Sequence, residues 1–127
     1  MINMDGVGGI DVANLGANAN YVYVLHPDST ASHLFDKTKQ LNQGSGINLE
    51  ILYPKNAARF NSDHNSFQYE LVPSIYFSTG LTEHYHKVSD EAQTIDYKHM
   101  TKIVRLILLL SWESANNAAM KSTFDRN

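Results

Sequence analysis

Residues 79–90, TGLTEHYHKVSD, bring two histidines, two acids and a tyrosine together directly after an apolar run. His84 and His86 stand two apart, so in an extended chain their imidazoles point the same way. Such a pair can share a zinc ion with ligands arriving from elsewhere. A solvent-facing loop accounts for the same residues without a metal, and no further ligand motif adjoins them. Ser62-Asp63-His64 holds the residue types of a hydrolytic triad. Adjacent side chains do not converge as nucleophile, base and orienting acid, so a capped short helix is the stronger reading. Asp5-Gly6-Val7-Gly8-Gly9 is glycine-rich but lacks both the Lys-Ser/Thr of a phosphate loop and the dinucleotide fingerprint, which leaves a tight turn. The chain has no cysteine, so any metal would rest on imidazole and carboxylate donors.

The elements that must carry these residues follow from pattern. The 127 residues suffice for one domain, and 43% hydrophobic against 18% charged residues marks a folded chain rather than a disordered one. A net charge of −3 with scattered Lys and Arg predicts neither a nucleic-acid nor a membrane-surface partner. The opening residues lack the basic and apolar regions of a signal peptide, and the run 103–110 is too short to span a bilayer.

A short strand at residues 2–5 is expected to lead into the glycine-rich turn. YVYVL at 21–25 has no polar face and suits a strand buried on both sides. Residues 27–30 supply a turn and a cap for a helix over 31–41, with Leu34, Phe35, Thr38 and Leu41 on one stripe. Strands are expected at 48–53 and 73–78, and a short helix at 62–71. Asp96 can cap a last helix over 97–116, with Met100, Ile103, Val104, Ile107, Leu110 and Trp112 facing the core. The order predicts an α/β fold, a sheet with helices on its faces. Ligand sites in such sheets gather beyond the carboxyl ends of strands, where Asp5 and the 79–90 loop both fall.

Four segments, in order, carry a family resemblance. INMDGVG resembles N-x-D-M-x-G; NSDHNSF resembles R-S-D-H-x-x-F; LVPSIYFSTG resembles G-I-P-x-I-x-F-x-T-G; and EHYHKVSDEAQTIDY resembles D-Y-H-x-P-x-D-T-x-D-x-I-N-Y. The chain thus resembles the carboxy-terminal half of the co-catalytic zinc aminopeptidases, which include bacterial leucine aminopeptidases and relatives of glutamate carboxypeptidase and glutaminyl cyclase. The resemblance implies part of a three-layer zinc-exopeptidase sheet with helices on both faces, incomplete as given. It implies a peptidase portion over residues 1–119 and a disordered tail over 120–127.

By the resemblance, Asp5 binds one of two zinc ions and His86 the other. Tyr85 stabilises the tetrahedral intermediate, Asp63 and His64 support the substrate pocket, and His84 stands where the family carries an acid and is no ligand. The substrate implied is a peptide with a free amino terminus. The family's bridging aspartate and base glutamate lie upstream of the matched segments, so this chain is expected to be inactive alone. It is expected to pair with the missing amino-terminal half or with itself, and an intact parent fits a secreted or periplasmic enzyme. A glutaminyl-cyclase-like single-zinc enzyme and a non-catalytic receptor-like module are the competing readings. Asn61, Thr82, Val88 and Gly6 depart from the family's arginine, histidine, proline and methionine.

Overall fold

The structure, a computed structural model, describes residues 1–26, 31–57 and 60–117. The turn expected at 27–30 and the tail expected at 120–127 lie outside the described residues. Four strands, β1 (Ile2–Met4), β2 (Tyr21–Leu25), β3 (Glu50–Leu52) and β4 (Ile75–Ser78), form one sheet in the order β1-β4-β2-β3. β1 runs parallel to β4 and β2 parallel to β3, while β2 and β4 are antiparallel. The helices are α1 (Val12–Leu15), α2 (Ser32–Gly44), α3 (His64–Tyr69) and α4 (Tyr97–Asn116), with a 3-10 turn at Ala92–Thr94.

β2 is buried along its whole length, as its apolar sequence demands. Alternate residues serve two different interiors. Val22 and Val24, with Ile75 and Phe77 of β4, meet Leu34 of α2 and Ile103, Leu106 and Leu110 of α4. Tyr21, Tyr23, Leu25 and Tyr76 face the other way, toward Ile10, Leu15 of α1, Leu52 and Phe60. Helices therefore lie on both faces, two long ones on the aliphatic side and short ones on the tyrosine side.

α2 runs three residues past its expected end. The Asn42 side chain explains this: it donates to the carbonyl of Leu49 and accepts from its amide, fastening the last turn to the approach of β3. In α4 the Asp96 carboxylate accepts from the His99 amide at 2.9 Å, the expected cap. The buried register differs from the expected one. His99, Ile103, Leu106 and Leu110 face the core, whereas Val104 is 40% and Trp112 67% exposed. His99 is held there by a hydrogen bond from Nε2 to the Tyr21 carbonyl and by packing on the Tyr21 ring.

Candidate functional site

β1 and β4 run side by side in the same direction, so the residues that follow them emerge at one end of the sheet. The Asp5 amide donates to the Phe77 carbonyl at 3.2 Å, extending the ladder by one residue. The Gly6 carbonyl then accepts from both the amide and the hydroxyl of Thr79, at 2.9 and 2.8 Å. Two bonds to one oxygen tie the loop after β1 to the loop after β4. Asp5 and the start of the histidine-bearing segment are thereby held together.

Asp5 is exposed. Its Oδ2 accepts from Ser62 Oγ at 2.8 Å, and Ser62 Oγ accepts in turn from the Asn3 amide at 3.0 Å. Asn3 is buried on β1, so the chain Asn3, Ser62, Asp5 anchors the carboxylate to the sheet. The Tyr76 hydroxyl donates to the Asp5 carbonyl at 3.2 Å. The His64 ring stacks on Tyr76 with centroids 4.5 Å apart and planes 7° from parallel.

Electrostatics follow from that packing. Burial lowers the His64 pKa, against the opposing pull of the Asp5 and Asp63 charges. Burial raises the Tyr76 pKa, partly offset by a hydrogen bond with Ser78, while the Asp5 and Tyr85 charges add to the rise. Tyr85 thus lies within electrostatic reach of Tyr76.

Ser62-Asp63 does not cap α3 as expected. Asp63 already has helical backbone angles and its side chain makes no cap bond, and the Ser62 hydroxyl is committed to Asp5. Asp63 is exposed and His64 is buried.

The segment 79–90 is a succession of turns and not an extended strand. Tyr85, Lys87 and Asp90 amides each donate to the carbonyl three residues back. The two histidines accordingly go separate ways. His84 Nδ1 lies 3.1 Å from the Ser89 hydroxyl and its Nε2 lies 3.4 Å from the Glu83 carboxylate. His86 is exposed, takes a left-handed backbone at φ 57°, and stacks on the exposed Tyr85 at 3.9 Å. Among the described residues no three His, Asp or Glu side chains gather as a metal site.

The structure gives three residues roles that sequence reasoning did not assign them. Ser62 holds the Asp5 carboxylate and is itself held by Asn3, and Tyr76 bridges the Asp5 carbonyl to His64. A serine directly before Asp-His was the available signal for Ser62. Tyr76 sat inside an apolar run and gave none.

The profile of peptidase family M28 matches residues 1–111. Among solved structures, the crystal structure of Legionella pneumophila LapA aminopeptidase superposes with a TM-score of 0.68 at 21% identity. The alignment covers 91% of this chain but only 31% of that chain. At that identity the likeness bears on the fold. No curated protein matches the sequence.

Proposed function

The chain belongs to peptidase family M28, a zinc-dependent family, and on that premise we propose that it forms part of a metallo-aminopeptidase acting on peptides with a free amino terminus. The observation that supports this best is the Asp5 carboxylate. It is exposed at the carboxyl end of β1, fixed by Ser62, and tied through Gly6 and Thr79 to the loop that bears Tyr85 and His86.

The donor chemistry fits zinc in kind and not in number. Asp5 offers an exposed carboxylate and His86 an exposed imidazole, the donor types such a centre takes. They do not complete a shell, and no step of hydrolysis is derived from this chain alone. In this reading Asp5 and His86 each contribute to one of two metals. The remaining ligands, the bridging acid and the general base come from polypeptide outside this sequence or from a partner chain. Zinc, when bound, would supply an activated water and stabilise the developing oxyanion. Within this chain Ser62 and Asn3 orient Asp5, Tyr85 offers a hydroxyl donor to the reacting carbonyl, and His64 with Tyr76 forms the rigid floor.

The test is expression of this chain joined to the coding sequence that adjoins it in its gene, with zinc, followed by assay of leucyl-p-nitroanilide hydrolysis. Zinc binding and hydrolysis that collapse in Asp5→Ala and His86→Ala support the reading. A product that binds no zinc and cleaves nothing refutes it, and cyclisation of amino-terminal glutamine without hydrolysis would move the assignment to a single-zinc cyclase.

A further inference from the structure

On the tyrosine face of the sheet a cavity of about 490 Å³ opens between α1, the end of β3 and the loop after β4. That volume lies within the roughly 300–1,000 Å³ of small-ligand sites. Leu15, Leu52, Pro54 and Phe60 give the lining apolar walls, and Tyr23 and Asp11 stand among them. Asp11 is only 4% exposed. Both its oxygens accept from the Asn14 amide, at 2.9 and 2.8 Å, and Oδ2 also accepts from the Tyr23 hydroxyl at 3.2 Å.

All of these donors are neutral, and among the described residues no Lys, Arg or His forms an ion pair with Asp11. Burying a carboxylate without a counter-charge is expensive, so such groups are ordinarily paired. The Tyr23 phenol registers the charge: burial first, and then Asp11, push its pKa up to about 12. The Tyr23 and Phe60 rings meet edge to face at 5.4 Å, which places aromatic surface in the same lining.

We propose that this cavity binds an alkylammonium or alkylguanidinium group on an aliphatic stem, with Asp11 as its counter-charge. Tyr23 and Phe60 supply ring surface to the cation, and Leu15, Leu52 and Pro54 cover the stem. Two exposed charges also belong to the lining: Glu83 reinforces the attraction and Lys55 opposes it. The chemistry is that of a lysine or arginine side chain in a peptide, or of a free diamine. The inference stands apart from the peptidase assignment, since it needs no metal and none of the residues around Asp5.

The test is a heteronuclear NMR titration of the full chain with N-acetyl-lysine methylamide, N-acetyl-norleucine methylamide and cadaverine. The lysine probe is expected to shift the amides of Asp11, Asn14 and Leu52 and to bind about tenfold more tightly than the uncharged norleucine probe. Asp11→Asn should erase that preference. Lys55→Glu, at an exposed position that leaves the packing alone, should strengthen cation binding and keeps the test decisive if Asp11→Asn does not fold. Cadaverine binding more weakly than the lysine probe assigns the site to peptides, and the reverse order assigns it to free amines. Equal affinity for the lysine and norleucine probes, or a lysine preference untouched by Lys55→Glu, overturns the proposal.

Discussion

Ser62 donates to the carboxylate of Asp5 across 2.8 Å although 57 residues separate them in the chain. The bond joins the loop before α3 to the end of β1, and Asn3 completes it from the sheet side. A carboxylate held by a hydroxyl that is itself fixed from the sheet is turned before any ligand arrives, which lowers the cost of ordering it.

Ser62→Ala therefore should leave the fold intact and loosen Asp5. In the zinc-loaded, extended protein the expected loss is about 10- to 100-fold in metal affinity or kcat/KM, the usual effect of removing a group that orients a ligand. Calorimetric zinc titration of the variant checks it, and an unchanged affinity would show that Ser62 serves only packing.

His64 carries a pH signature. Its folded pKa is held below the ordinary 6.5, chiefly by burial. Below the unfolded value the unfolded chain takes up the proton more readily, so stability falls as pH drops through about 6.5 and stops falling below the folded pKa. His64→Phe, which preserves stacking on Tyr76, should flatten the urea midpoint between pH 7 and 5 relative to the parent. His33 is shifted in the same direction, so the flattening will be partial.

The register of α4 can be read by truncation. Leu106 is fully buried, and Leu106→Ala is expected to cost about 2–5 kcal/mol. Leu108, two residues on, is 65% exposed, and Leu108→Ala should stay within about 0.5 kcal/mol. Paired denaturant curves decide it, and equal losses would mean that the helix is turned differently.

Gly80 tests the seam behind the cavity. At φ +90° it occupies a conformation hostile to side chains, and a Cβ there would sit 2.8 Å from Asp11 Oδ2. Gly46, at φ +70°, has nothing within 4 Å. Both alanine variants carry backbone strain of about 1–3 kcal/mol. Only Gly80→Ala must also displace Asp11, so its urea midpoint should fall further.

Much of this architecture could be read from the sequence because the signals were local. The all-apolar YVYVL, the Asp96 cap and the apolar run ending at Ser78 each specify their own element. The register of α4 was ambiguous for a physical reason. Apolar residues surround the helix between Ile103 and Leu110, so the sequence admits several core faces and only packing against α2 and the sheet selects one. The polar His99 occupies that face because the Tyr21 carbonyl offers it a partner, which no periodicity reveals. Ser62 illustrates the same gap. A hydroxyl before a helix can bond locally or far away, and here the distant carboxylate won. Strand direction was also silent, since nothing in four apolar segments says that β2 opposes β4.

The pairing of Ile2 with Ile75 sets an order of assembly. β2, α2 and β3 form a compact unit within residues 21–52 whose strands meet after a modest excursion, with Tyr21 against Glu50. In the sheet β1 pairs only with β4, which lies more than seventy residues further along the chain, at Ile75–Ser78. Closing a longer strand-to-strand loop carries a larger entropic debt, so this pairing is expected to follow that of β2 with β3. The carboxylate of Asp5 rides at the end of this strand, so it takes its place only once β4 has arrived, after the unit of β2, α2 and β3 can already have closed.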